Sequence, residues 1–436
     1  MLLTGLLLLT GCGDIVRLIM LLTNMSQRPV ATPPAALISD GIVFPDGSNL
    51  FTSAMYQSNG NEWHAACFVN DYRNYGIRSA KWDAAAEAFI NDYEYRGNYS
   101  GITNILKKLE TQVREILTQG CTDPYLMYCL GNLLYLQGRY RQADQQIQQA
   151  LQALEKSSYP SLYTFYASRR LLATRKAVRS LAPLPQALIE KELTALAQAA
   201  SDPRFKDGHQ RYFVENARDL VEGRCGKADT ADRFMRQLEA NDAVDPWISH
   251  VLEGIYHVSA AWTIRSGALA KEVSKKQWKG FFRELDTARE HLIKAHELHP
   301  EFPEAAEHMI VISMARSDDL GEQYWFNQAV TAQFDYLPAY RSLLLALYPR
   351  WGGSWEEMQA FGLRCLQTER FDTLVPNVYV RSIAAIAQDM GDDWREIYRQ
   401  PHVYENLSYY YENALEHASN ADARHFILSD YTLCAW

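Results

Sequence analysis

His250, Glu253 and His257 stand at i, i+3 and i+7, which puts two imidazoles and a carboxylate on one face of a helix. That stripe supplies three donors of the kind zinc takes, but a structural site needs a fourth. A polar stripe hydrogen-bonded to a neighbouring helix is therefore expected, and no metal ligand is assigned. His291, His296, His299 and His308 crowd the stretch HLIKAHELHPEFPEAAEH. An HExxH zinc signature is absent there because His299 falls one residue early. His296 and His299 are placed where a helix end favours an imidazolium.

The stretch SRRLLATRKAVR sets Arg169, Arg170, Arg175, Lys176 and Arg179 on one helix, with Tyr163 and Tyr166 just before them. Cations beside aromatic rings suit an acidic peptide or anionic headgroups, although a solvated basic face is the usual outcome of such a run. Arg169, Arg170, Arg175, Tyr163 and Tyr166 are the candidate partner-binding residues. PRWGGSWEEM resembles a phosphate loop only in its glycines: it lacks GxxxxGK[ST] and a preceding strand. Ser354 with Glu357 reads better as a capping box. There is no GxSxG and no Cys/His pair that the sequence brings together. No catalytic residue and no cofactor are assigned.

The elements that must position these residues are almost all helical. Period-3.6 apolar spacing recurs over 78–95, 101–118, 124–136, 140–155, 159–180, 185–200, 209–223 and 228–240. It continues over 245–266, 276–298, 303–315, 321–333, 338–348, 354–368, 374–390 and 404–418. Breaks fall at turn residues such as Gly120, Gly138, Pro160, Pro183, Pro300 and Gly352-Gly353. Residues 27–48 are rich in Pro and small residues and read as a linker, with a short extended element around Gly41–Phe44. The chain has 436 residues, 47% of them apolar and 22% charged, as a folded protein of one to three domains requires. Its net charge of −9 argues against general nucleic-acid binding.

MYCLGNLLYLQGRYRQADQQIQQAL resembles a tetratricopeptide repeat. Leu130-Gly131 falls on its first helix, Gly138-x-Tyr140 makes the turn, and Ala143, Ile147 and Ala150 form the stripe of its second helix. Gly131 and Ala143 are expected where the two helices come closest, with Ile147 and Ala150 against the helix that follows. LDTAREHLIKAHELHPEFPEA repeats the stripe at Ala288, Leu292 and Ala295. WGGSWEEMQAFGLRCL is a degenerate copy, with Met358, Gly362 and Cys365 along its stripe. Residues 245–375 also resemble an uncharacterised bacterial family built on such repeats, through GALAKEVSKKQWKGFFRELDTAREHL, LYPRWGGSWEEMQAFG and RFDTLVP. The resemblance implies an all-α fold of tetratricopeptide-like helical hairpins stacked in a right-handed superhelix, and no activity.

At the N-terminus, Leu9-Thr10-Gly11-Cys12 resembles the lipobox of bacterial lipoproteins, which implies acylation of Cys12. No Lys or Arg precedes the apolar run, and GDIVRLIMLLTNM after Cys12 is apolar instead of a polar tether. The alternatives are a weak membrane anchor over Met1–Leu22, in which Asp14 and Arg17 would be costly, and a start at Met20 or Met25, leaving a cytoplasmic protein. The expected organisation is a lipoprotein signal over 1–11, a tether over 12–60, a helical region with one repeat over 61–158, and a diverged array over 159–436. With Cys12 set aside, six cysteines remain, an even number that permits disulfides; scattered buried thiols are the plainer expectation. The functional expectation is a non-enzymatic scaffold that binds a protein or peptide, held at the bacterial envelope through a lipid anchor and facing the periplasm. The alternative is a periplasmic (α/α)-toroid enzyme acting on carbohydrate, whose paired carboxylates no sequence pattern identifies.

Overall fold

The computed structural model describes residues 41–45, 50–95, 102–178, 185–222, 228–316, 320–418 and 421–434. Cys12 and the rest of the N-terminal stretch lie outside the described residues, as do Arg179 and Cys225. Among the described residues there are α-helices and short 3-10 turns but no strand. None of those helices is long and apolar enough to cross a membrane.

The first helices are α1 (Ser53–Tyr75), α2 (Asp83–Glu94), α3 (Ile102–Thr118), α4 (Pro124–Leu136), α5 (Tyr140–Leu154) and α6 (Ser161–Ala177). They are followed by α7 (Gln186–Ala199), α8 (Gln210–Val221), α9 (Ala228–Glu239), α10 (Pro246–Arg265), α11 (Lys275–Leu298) and α12 (Pro303–Ala315). The chain continues with α13 (Gly321–Ala332), α14 (Leu337–Ala346), α15 (Trp355–Leu366) and α16 (Asn377–Met390). It ends with α17 (Arg395–Tyr398), α18 (Pro401–Glu416) and α19 (Ala421–Cys434). Two compact units are present: Pro45–Asp318 with Gln328–Phe334, and Met1–Phe44 with Asp319–Asn327 and Asp335–Trp436.

In the larger unit, helices pack mainly on their neighbours in the chain, with α4–α5, α6–α7 and α10–α11 forming closely packed pairs. The α4–α5 hairpin shows why. Asp123 caps α4 by accepting from the Tyr125 and Leu126 amides at 3.0 and 3.1 Å. Gly138 turns the chain with φ of 73°, a conformation that favours glycine. A Cβ on Gly131 would lie 2.5 Å from Ile147 Cγ1, so the two helices touch where the side chain is missing. Ile147 thus packs back on its own hairpin instead of only on the next helix. Ala143, Ile147 and Ala150 are fully buried.

Helix α1 departs from the sequence reading, because it begins inside the stretch read as a tether. Its residues include Ser58, Asn59, Gly60, Asn61, Asn70 and Asn74, all weak helix formers. Periodicity was too faint to announce it, and its stability comes from the neighbours described below. Residues 78–82 form a turn before α2, with the Ser79 amide donating to Asp83 at 2.8 Å.

In the smaller unit, residues 42–44 are extended but pair with a side chain and not with a strand. The Val43 amide donates to Asn327 Oδ1 at 2.9 Å, and Asn327 Nδ2 donates to the Gly41 carbonyl at 2.7 Å. Ser354 caps α15, accepting from the Glu357 amide and donating to its carboxylate, both at 3.1 Å. Helix α15 packs on the helix after it, α16, where Gly362 leaves room for Ser382. The expected copy at WGGSWEEMQAFGLRCL is thereby the first member of its pair, not the second. Cys67, Cys121, Cys129 and Cys365 are free thiols, the last three buried.

Candidate functional site

The five residues singled out on α6 are brought near one another by the helix and then turned apart by their partners. Tyr163 is 1% exposed, and its hydroxyl donates to Asp71 Oδ2 at 2.7 Å. Burial pushes its phenol well above the ordinary range. Tyr166 is partly buried beside Phe165 and Phe68, with ring centroids 5.4 and 6.2 Å away. Arg169 donates to the Asn216 carbonyl on α8 at 2.8 Å. Arg170 lies over the Tyr135 ring on α4 at 4.4 Å. Arg175 donates to Asp144 and Gln148 on α5 at 2.8 and 3.0 Å. The helix therefore reaches toward α1, α4, α5 and α8 through different side chains.

A partner of α6 is α1, whose side chains meet those of α4, α6 and α8. On α4, Phe68 meets Tyr125 at a centroid distance of 5.4 Å; on α6, it meets Tyr163 at 5.2 Å edge to face. Asp71 accepts from Tyr163 and, at 2.8 Å, from Arg204 Nη2. On α8, the Tyr212 ring stacks against Trp63 at 4.8 Å and against Tyr56 at 4.9 Å. His209 stacks on the same indole at 4.8 Å. A Cβ on Gly60 would come within 2.8 Å of the Tyr212 ring, so glycine permits this approach. At its N-terminal end, Ser53 Oγ accepts from Gln333 at 2.9 Å, and the Phe51 carbonyl accepts from the Phe334 amide at 3.0 Å. Aromatic stacking and one buried carboxylate hold a helix that its own residues would not form.

Two arginines on α8, seven residues apart, reach two glutamates on α12, three residues apart. Arg211 Nε donates to Glu304 at 2.7 Å and Nη2 to Gln333 at 2.9 Å, with the guanidinium over Tyr56 at 4.2 Å. Both charged side chains are almost fully buried, 4% and 5% exposed. Arg218 lies between carboxylates: Nε donates to Glu222 at 2.7 Å and Nη2 to Glu307 at 2.9 Å. His308 Nε2 is 3.3 Å from Arg218 Nη2. Burial pushes the His308 imidazole down, and its Nε2 also lies 3.3 Å from Glu307 Oε2. These groups floor a pocket of about 580 Å³ between α8, α10 and α12, with Ser259, Trp262 and Thr263 on its α10 wall. Because the Arg218 guanidinium fills the gap between Glu222 and Glu307, the site is suited to binding a charge more than to hydrolysis by two separated carboxylates.

The histidines on α10 turn toward α11. His250 Nδ1 lies 3.2 Å from His291 Nδ1, and His257 Nδ1 lies 2.8 Å from Glu284. Burial, with His250 and His257 nearby, brings His291 down to about 4, whereas burial and Glu239 raise Glu253 to about 7. Among the described residues, no group of three or more His, Cys, Asp or Glu side chains is arranged to hold a metal ion.

The α1 contacts and the α8–α12 pairs were not foreseen from the sequence. The seven-residue spacing of Arg211 and Arg218 and the three-residue spacing of Glu304 and Glu307 each mark one helix face. Nothing local says that these faces meet. No known family model, curated protein or solved structure matches the chain.

Proposed function

We propose that this chain is a non-enzymatic helical-repeat scaffold that grips a helical segment of a protein partner. In this reading its hairpins are diverged tetratricopeptide-like units stacked in a right-handed superhelix, with the first helix of each hairpin lining the binding face. The observation that carries the reading is α1. Helices α4, α6 and α8 together hold a weakly helical, aromatic-bearing segment, the geometry by which a groove recognises an amphipathic helix. The groove's recognition groups are then Tyr125, Tyr163, Arg204 and Tyr212, with Arg169 and Tyr166 beside them. A carbohydrate-active enzyme is less well supported, since Arg218 occupies the space between the pocket's carboxylates.

A labelled synthetic peptide of residues 50–76 tests this. Full-length chain carrying Tyr56→Ala and Trp63→Ala, which loosen its own α1, should bind the peptide in trans by fluorescence anisotropy, and the unsubstituted chain should bind it at least about tenfold more weakly. A peptide carrying Asp71→Arg should lose binding. If the loosened chain keeps its helical circular dichroism and captures no peptide at about 1 mM, the groove is not a helix receptor.

We also propose that acylation of Cys12 anchors the scaffold to a bacterial membrane, facing the periplasm. Intact-mass analysis with and without globomycin tests the address. An acylated mass lacking residues 1–11 is expected, and a non-acylated chain starting at Met25 would place the protein in the cytoplasm.

A further inference from the structure

We infer that the end of the α10–α11 hairpin, residues 266–279, docks on an anionic phospholipid surface. This stretch carries Lys271, Lys275, Lys276 and Lys279 against a single acid, Glu272, in a chain whose net charge is −9. All four lysines are exposed, and among the described residues none of them forms an ion pair. The next cations along the chain, Arg283 and Arg316, are instead paired with Glu284 and Asp286. Lys276, Lys279 and Arg283 fall at i, i+3 and i+7, with Lys275 four residues before Lys279. They share the side of α11 opposite the buried Phe281, Leu285 and Ala288. Cations here work against the helix. Its first turn holds lysines and no acid, where the dipole disfavours positive charge, and Lys275 and Lys279 repel at i, i+4. The charge that complements them lies outside the chain.

An apolar tip stands beside these lysines. Leu269, between Ala268 and Ala270, is 62% exposed. The turn that displays it is fixed from both sides. Arg265 Nη1 donates to the Ser266 and Ala268 carbonyls at 2.9 and 3.2 Å, with its guanidinium over Trp262 and Trp278 at 5.6 and 5.5 Å. The Leu269 amide donates to Glu272 at 3.2 Å, which holds the one acid against the backbone. Gln277 Nε2 donates to the Ile264 carbonyl at 3.1 Å and ties the start of α11 to the end of α10. Docking then orders little more of the chain. Residues 267–270 carry no polar side chain, so they enter a headgroup layer without desolvating one. The lysine stems lie along that boundary with their ammonium groups at the phosphates. An acidic protein surface would match the lysines but gain nothing from Leu269. This surface does not depend on acylation of Cys12.

The test is sedimentation of the full-length Cys12→Ser protein with vesicles of phosphatidylcholine, alone or with about 30 mol% phosphatidylglycerol. Cys12→Ser removes any acyl chain, and attachment through the apolar N-terminal stretch would appear on both vesicles alike. Binding should be at least about tenfold stronger to the phosphatidylglycerol vesicles and should weaken as salt is raised. Lys275→Gln with Lys276→Gln should weaken it at least about tenfold, and Leu269→Ser about fivefold. Replacing all four lysines by arginine should leave it within about twofold of the parent, since the charge is kept. All these positions are exposed, and helical circular dichroism should be unchanged in every variant. Equal binding to the two vesicles would overturn the inference, as would no binding at about 5 mM lipid. Binding that ignores the lysine pair or Leu269→Ser would overturn it too. If soluble polyglutamate then binds as tightly as the vesicles, the surface belongs to an acidic protein instead.

Discussion

Helices α6 and α8 both carry arginines, and they use them in opposite ways. On α6 the cations are dense: Arg169, Arg170 and Arg175 each find a separate partner near the surface, with Arg175 bound to Asp144 at side-chain exposures of 13% and 18%. On α8 the cations are sparse, yet Arg211 is buried against Glu304 and Arg218 is held between Glu222 and Glu307. Density of charge in the sequence marks where cations are tolerated. Where they matter most is marked by what faces them, and for α8 that is a helix far along the chain.

The contrast is broken or sharpened first at Arg211. Arg211→Met leaves Glu304 buried without its cation, which should cost about 3–5 kcal/mol in urea unfolding. Pairing it with Glu304→Leu should recover most of that loss, because the uncompensated charge is gone. A single substitution costing under about 1 kcal/mol would put Arg211 in the same class as the α6 cations.

Trp63→Ala comes next, at about 3 kcal/mol, since it removes the indole stacked on His209 and Tyr212. Its readout is local: amide exchange across α1 should speed up while α4–α5 stays protected. Gly131→Ala should cost about 1–2 kcal/mol by pushing Ile147 away within the α4–α5 hairpin. Arg175→Ala is expected within about 1 kcal/mol, the range of a partly exposed ion pair. Thermal unfolding of these last two variants side by side checks the order.

The smallest signal is in pH, and it comes from Glu253 on α10 and His291 on α11. The Glu253 carboxyl is raised from 4.5 to about 7, so its contribution to stability is full below 4.5 and falls as pH rises to about 7. The His291 imidazole is lowered from 6.5 to about 4, so its contribution is full above 6.5 and falls as pH drops to about 4. The two slopes oppose each other between pH 4.5 and 6.5, so these two contributions offset there. Glu253→Gln removes the falling slope, and stability should then climb more steeply with pH across that window than in the parent. A variant whose pH slope matches the parent's would mean that Glu253 is ionised like an ordinary surface carboxylate.

Much of the helical layout was readable from residue order. The segment expected over 124–136 is α4, Pro124–Leu136, because Asp123 and Pro124 make a strong start signal and Gly138 follows its end. The Ser354–Glu357 cap was readable for the same reason: donor and acceptor are three residues apart. Helix α1 was missed between Ser53 and Glu62, where Ser, Asn and Gly dilute both propensity and periodicity. The site was less readable still. The α6 cluster was visible as composition, but the partners that pull Tyr163 inward and draw each arginine its own way lie on other helices.

Residue order by itself determined an all-helical chain, the positions of most helix ends and the close approach of α4 and α5 at Gly131. Each rests on interactions within a few residues or within one hairpin. Only the tertiary structure decided that Asp71 meets Tyr163 across 92 positions, that Arg211 meets Glu304 across 93, and that Tyr56 meets Tyr212 across 156. Such pairs form where separate helices desolvate one another, and a buried charge or ring then takes whichever partner the packing supplies. Local spacing limits what each helix can offer, and packing selects which offer is used.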